Sequence, residues 1–138
     1  MECPVDSHPM IVLELEQIEI DYCTHCDGIW LDAGELELMF EAEKEREYLN
    51  ALFKEDLKSK EKSYRCPICS KNMIKVSVGN KGKVLIDKCP KNHGLWFDRG
   101  ELEKVILLGS GGKENKITGL LKQMFENKLS TNQSEKNK

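Results

Sequence analysis

No stretch of this sequence approaches the roughly 18 consecutive apolar residues that a membrane-spanning helix needs. Aromatic residues make up only 7% of the chain and hydrophobic residues 39%, against 33% charged. From that composition one large core is not expected for 138 residues. The opening Met-Glu-Cys-Pro-Val-Asp-Ser-His has no basic segment and no apolar leader core. A cytoplasmic, non-membrane protein is the expectation. A phosphate-cradling glycine loop and a nucleophile–base pairing are also missing, so an enzyme is not expected. What the chain does have is six cysteines and three histidines. In a reducing compartment such cysteines are metal ligands sooner than disulfides.

Charge is unevenly spread. Residues 1–50 carry 14 Asp/Glu against 2 Lys/Arg, while residues 51–138 carry 10 against 19. The net formal charge of −3 hides this asymmetry, which concerns partners rather than fold.

The chain repeats itself. Asp-Tyr-Cys-Thr-His-Cys-Asp-Gly-Ile-Trp-Leu-Asp-Ala-Gly-Glu-Leu-Glu, from Asp21 to Glu37, aligns without a gap to Asp87 to Glu103. Upstream, Cys3 to Met10 aligns to Cys66 to Met73. Each copy opens on a Cys-Pro turn and continues through an alternating stretch. In the first copy, Ile11 to Asp21 predicts a hairpin with a tight turn at Glu16–Gln17. In the second, Ile74 to Val78 and Val84 to Asp87 predict strands around the turn Gly79-Asn80-Lys81-Gly82. A helix should begin after each. Asp32 and Asp98 occupy N-cap places, with Glu35 and Glu101 three residues on as in a capping box. Leu31 with Leu36, and Phe97 with Leu102, would staple the entry.

Zinc takes four Cys or His ligands in a tetrahedron, and ligands two to four residues apart suit one tight turn. In the second copy Cys66, Cys69, Cys89 and His93 complete such a set. In the first, Cys3, Cys23 and Cys26 are three of four. His8 is the preferred fourth, because zinc sites favour nitrogen and sulfur; Asp6, which aligns with Cys69, or a water is the alternative. Iron remains open beside zinc. His25 lies between two ligands and should face solvent. A Cys66–Cys69 redox pair is the weaker explanation, since every cysteine already has a place in a four-ligand set. Trp30 and Trp96 should pack on the hairpins rather than stack a ligand. Gly28 and Gly94 should supply positive φ after the ligand turns. For Gly34 and Gly100, packing and partner contact stay open.

The Cys-Pro turn, followed by Asp-x-Cys-x-x-Cys-x-Gly-Ile-Trp-Leu-Asp-x-Gly-Glu-Leu-Glu, resembles the prokaryotic transcription factor zinc-finger domain, named for the zinc ribbon of transcription factor IIB. Both copies match. The resemblance implies a zinc-binding ribbon with ligands Cys3, Cys23 and Cys26 in one copy and Cys66, Cys69, Cys89 and His93 in the other. It implies transcription only weakly, because ribbons serve many functions. The expected fold is small α+β and metal-stabilised, with two structural zinc ions. Two ribbon hairpins are each followed by a helix and joined by a long charged helix. The first ribbon with its helix start covers 1–45 and the charged helical linker 46–63. The second ribbon with its helix covers 64–109, ending in a flexible Gly109-Ser110-Gly111-Gly112. An amphipathic helix covers 113–129 and a disordered tail 130–138. Because the linker looks solvated, Cys89→Ser is expected to spare the first ribbon.

Such a protein is expected to act as a non-enzymatic interaction module. Its acidic and basic parts suit a protein partner of opposite charge, including another copy of this chain. Ile117, Leu120, Leu121, Met124, Phe125 and Leu129 form an apolar stripe that either packs or docks a partner. The alternative is nucleic acid bound through residues 71–91, where Lys71, Lys75, Lys81, Lys83, Lys88 and Lys91 cluster. That hairpin has no aromatic stacking surface, which weighs against it. A zinc hydrolase or thiol oxidoreductase would need an open metal position.

Overall fold

The computed structural model describes residues 1–40, 42–56, 62–79 and 84–136, with side chains as far as residue 126. Each copy of the repeat forms a three-stranded antiparallel unit. The first contains β1 (Ile11–Leu15), β2 (Ile18–Tyr22) and β3 (Ile29–Asp32). Helix α1 (Glu35–Leu38) follows, then α2 (Glu43–Leu52) and the short strand β4 (Phe53–Glu55). The second contains β5 (Ile74–Val78), β6 (Val84–Lys88) and β7 (Gly94–Phe97), then α3 (Glu101–Gly109) and α4 (Lys116–Lys136). The first hairpin turns at Glu16 and Gln17, with φ of 51° and 67°. That is the two-residue turn expected from the sequence. Asn80, Lys81, Gly82 and Lys83 lie outside the described residues, so only Gly79 of the second expected turn is seen, at φ 102°.

The two units are not separate modules. All seven strands form one antiparallel sheet in the order β1-β2-β3-β7-β6-β5-β4. The join is β3 against β7, with Ile29 opposite Phe97, Trp30 opposite Trp96, Leu31 opposite Leu95 and Asp32 opposite Gly94. An approximate two-fold axis passes through the tryptophan pair. Alternation along these strands sends side chains to two faces. Ile29, Leu31 and Phe97 join the helices in one core, with Leu95 packed against it. Trp30 and Trp96 join Cys3, Cys23, Cys66 and Cys89 in a second core on the opposite face. A strand apolar on both faces needs a partner on its open edge, and the other copy supplies it.

Gly28 and Gly94 make the join possible. A Cβ on Gly28 would lie 2.1 Å from the Trp96 ring, and one on Gly94 would lie 2.6 Å from the Trp30 ring and 2.2 Å from the Leu31 carbonyl. Each tryptophan therefore rests on the glycine of the other copy. The expected positive φ is found instead on the residues just before them or close by, Asp27 and Asn92, both at 66°. Gly34 and Gly100 have φ of 91° and 82°, and a Cβ added to either would meet nothing within 4 Å, so their need is conformational.

The charged linker is also revised. Helix α2 stops at Leu52, and β4 then pairs with β5 through Phe53 opposite Val78, Lys54 opposite Ser77 and Glu55 opposite Val76. Residues 57–61 of the expected linker lie outside the described residues. Leu49 and Leu52 are buried, so α2 is not solvated all round. Its charge conceals two leucines three residues apart, which share a face. The expected flexible break after α3 is an ordered turn: the Ser110 hydroxyl donates to the Lys113 carbonyl at 2.6 Å and also lies 2.9 Å from the Ile106 carbonyl. Gly109 is there for space, since its Cβ would meet the Phe40 ring at 2.6 Å. Helix α4 begins with a reciprocal cap, Thr118 N–H donating to Asn115 Oδ1 at 3.0 Å and Asn115 N–H to Thr118 Oγ1 at 2.9 Å. Its Ile117 and Leu121 are buried in the helix-side core, with Leu120, Met124 and Phe125 packed against it. These five positions of the stripe therefore pack, while the Leu129 side chain lies outside the described residues. The helix continues to Lys136 through most of the segment expected to be disordered, where Lys, Gln and Glu favour helix.

Candidate metal centres

Four tight turns carry the cysteines, each with a backbone N–H aimed at sulfur, and three of them close over four residues while the Cys89 turn closes over three. Val5 N–H donates to Cys3 Sγ, Ile68 N–H to Cys66 Sγ and Lys91 N–H to Cys89 Sγ, each at 3.4 Å. Cys26 N–H donates to Cys23 Sγ at 3.5 Å. A small polar residue closes each turn with positive φ: Ser7, Asp27, Ser70 and Asn92. Ser, Asp and Asn tolerate this region better than most side chains. The N–H groups aimed at sulfur favour thiolate. At Cys89, burial opposes ionisation, but backbone N–H donors together with Cys69 and Cys66 bring the thiol down to about 6. Burial holds Cys66 up at about 11 and pushes Cys3 well above the ordinary thiol range. A bound cation would remove that cost by pairing the charge.

The second site gathers Cys66, Cys69, Cys89 and His93. Cys69 and Cys89 sulfurs are 3.6 Å apart, and His93 Nδ1 lies 3.4 Å from Cys89 and 4.0 Å from Cys66. A tetrahedral zinc with ordinary bond lengths requires edges of about 3.8 Å between sulfurs and about 3.6 Å between sulfur and nitrogen. The donor set fits the ion. The first site gathers Cys3, Asp6, Cys23 and Cys26. Cys3 and Cys26 sulfurs are 3.6 Å apart, and Cys23 Sγ stands 3.5 and 3.6 Å from the two Asp6 oxygens. The sequence preference for His8 is thus corrected. Asp6 occupies the corner that Cys69 fills in the other copy, because the two turns have the same length and closure. His8 sits outside it, Nδ1 3.1 Å from Asp6 Oδ1, with His25 stacked on its ring. His25 is exposed as expected, but its Nδ1 also meets Asp6, at 3.1 Å. The Asp6 carboxyl is held well below its usual range: its slight burial works the other way, and the His8 N–H with the Cys3, His8 and His25 side chains overcomes it.

The remaining motif residues brace these turns. Trp30 Nε1–H donates to Asp32 at 2.9 Å and Trp96 Nε1–H to Asp98 at 3.0 Å. Asp32 N–H then donates to Glu35 at 2.6 Å, and Asp98 N–H to Glu101 at 2.8 Å. The expected N-caps are corrected: the helices begin at Glu35 and Glu101 with Gly34 and Gly100 as N-caps, the glutamates reach back to the Asp32 and Asp98 N–H groups, and the aspartates accept from indole rather than from the helix. No sequence pattern announced that use, although the fixed two-residue spacing from Trp to Asp recurs in both copies. Tyr22 donates its hydroxyl to Asp27, and Arg99 of the second copy reaches Asp27 at 3.7 Å.

The expected lysine patch does not assemble whole. Lys75 is buried in an ion pair with Asp87 at 3.1 Å, so it is not offered to phosphate. Lys81 and Lys83 lie outside the described residues. Lys71 and Lys91 are exposed and Lys88 half-buried.

A family described as transcription factor zinc-finger, the TFIIB-type zinc ribbon, matches residues 2–42 and again residues 65–107. The chain belongs to this zinc-ribbon family. No curated protein and no solved structure matched the chain. Both matched segments contain one complete four-residue cluster, and the clusters fit two structural zinc ions. The ion would supply the cross-link that closes each ribbon. Among the described residues no helix is long and apolar enough to cross a membrane.

Proposed function

We propose that this zinc-ribbon protein is a non-enzymatic docking module that adds an extended segment of a protein partner to the outer edge of β1. Four protein donors at each site leave no open position for a substrate, which supports a structural use of the metal. The observation that carries the docking reading is a difference between the two ends of the sheet. In the second copy β4 covers the outer edge of β5, with Asp56 N–H donating to the Lys75 carbonyl at 2.9 Å. By the repeat alignment, Lys75 and Ser77 correspond to Val12 and Glu14. Strand β1 is the last in the sheet and has no strand on that side among the described residues. The turn at Glu16–Gln17 pairs Leu15 with Ile18, so the backbone groups of Val12 and Glu14 face outward. Ile11 and Val12 are 44% and 60% exposed there. An open edge with exposed apolar residues is a template for strand addition. Exposed Glu14, Glu16 and Glu19 around it select a basic segment.

Val12→Pro tests this, because it removes an outward N–H without touching the β1–β2 ladder. Partners retained by the zinc-loaded chain should be lost from the variant at unchanged stability. Unchanged retention would overturn the edge-docking reading. Nucleic-acid binding that weakens steeply with salt and needs Lys71 and Lys91 would replace it.

A further inference from the structure

We propose that Asp6, His8 and His25 form a third cation site, open to solvent, in which the Asp6 carboxylate bridges a divalent ion to the buried first zinc. The inference rests on that buried ion. Asp6 presents both oxygens to Cys23 Sγ, at 3.5 and 3.6 Å, from within the first cluster. On its other side each oxygen also meets an imidazole: His8 Nδ1 is 3.1 Å from Oδ1 and His25 Nδ1 is 3.1 Å from Oδ2. Two donors about 2.0 Å from a tetrahedral zinc stand about 3.3 Å apart. The two N···O separations therefore match edges of a metal polyhedron. The His8 and His25 rings stack with centroids 4.2 Å apart and planes 12° apart, and each turns its Nδ1 to the Asp6 carboxylate; to share one ion in their ring planes the two exposed rings would open from this stack. One donor atom from each of Asp6, His8 and His25 falls within 4.8 Å of the others. His8 and His25 side chains are 52% and 65% exposed and Asp6 is 17% exposed. An ion here would keep water as its remaining ligands, so it would exchange readily.

Charge supplies the second line of support. A zinc with three thiolates and neutral His93 carries about −1, and one with three thiolates and a carboxylate carries about −2. The first site therefore holds more uncompensated negative charge than the second. The repeat shows how the other copy treats the same two places: Lys71 aligns with His8 and Lys91 with His25. Where the fourth ligand is Cys69, fixed cations stand around the turn. Where it is Asp6, two metal-capable imidazoles stand there instead.

The alternative use of the same contacts is that both rings donate N–H to Asp6 and merely orient it. Metal stoichiometry separates the two. Untagged protein would be equilibrated by dialysis against a zinc buffer, and zinc counted per chain by atomic emission. The expected result is three ions, one of them removed by a weak chelator that leaves the other two. His8→Lys/His25→Lys copies the second turn into the first, and should hold two ions with unchanged folding. Two ions in both proteins would overturn the third site and leave the structural zinc reading standing. Three ions in both would place the extra ion elsewhere and overturn it equally. Fewer than two in the unmodified chain would bring down the structural-zinc reading and the third site with it.

Discussion

Gly28→Ala tests whether the two ribbons are locked through their tryptophans. The added methyl would sit 2.1 Å from the Trp96 ring, where ordinary contact begins near 3.4 Å. The indole would have to retreat by more than 1 Å. It is fully buried, and its N–H is held by Asp98 at 3.0 Å. Overpacking of this kind typically costs about 1–3 kcal/mol, and a ring tethered at its polar end belongs in the upper part of that range. Gly94→Ala should cost more, because its methyl meets the Leu31 carbonyl of the β3–β7 join at 2.2 Å, and a backbone atom cannot rotate away. The decisive measurement is a double-mutant cycle by guanidinium unfolding in saturating zinc. Trp96→Leu alone removes buried volume, at about 2–5 kcal/mol. In that background Gly28→Ala should cost less than about 1 kcal/mol, because the atoms it strikes are gone. An equal cost in both backgrounds would show that Trp96 does not rest on Gly28, and would refute the interlock.

The shared sheet changes what losing one site should do. Cys89→Ser should unfold both copies together, seen as loss of amide protection at Ile20 and Ile29 as well as at Ile86. Protection kept in the first copy alone would restore independent modules. Complete chelation should abolish the sheet by circular dichroism, since structural zinc contributes folding free energy on the order of 10–16 kcal/mol per site at neutral pH. Glu101 gives a pH test: burial raises its carboxyl from 4.5 to about 7. Between those values the folded chain binds more protons than the unfolded one, so this group's contribution to stability falls as pH rises through the window. Glu101→Gln still accepts from Asp98 N–H but carries no charge. Its urea midpoint, measured with zinc bound, should gain on the unmodified protein from pH 6 to 8; a gain in the opposite direction would refute the assignment.

Much of each half was legible because its signals are local. The Cys-Pro turns, the Glu16–Gln17 hairpin, and the strands at Ile74 to Val78 and from Val84 all depend on residues within a few positions of one another. The join between halves was not legible, because it depends on something absent. Gly28 and Gly94 read as turn residues, yet what matters is the missing Cβ beneath a tryptophan in the other half of the chain. Likewise Leu49 and Leu52 vanish in the average charge of α2. The general preference of zinc for nitrogen and sulfur points to His8 as the fourth ligand, but position decides: Asp6 aligns with Cys69, and turns of equal length deliver their residues to the same corner. Lys75 looked like surface charge because its partner, Asp87, lies across the β5–β6 hairpin.

The repeat also serves as an internal control on function. Whatever builds the fold is duplicated: the positive-φ closures, the N–H···S bonds, the Trp–Asp–Glu brace and the glycine beneath each indole. Features present in only one copy are therefore not needed to make a ribbon, and need another cause. The buried Lys75–Asp87 pair has one in packing, since β4 encloses that edge and Val12 stands at the corresponding place where no strand covers it among the described residues. The carboxylate ligand, the stacked histidines and the open β1 edge all belong to the acidic first copy, and no packing requirement of the second copy explains them. Substituting each by its second-copy counterpart, as in Asp6→Cys or His8→Lys, asks whether the fold tolerates full symmetry. If it does, with two zinc ions still held, the asymmetry is maintained for what binds the first copy and not for the stability of the sheet.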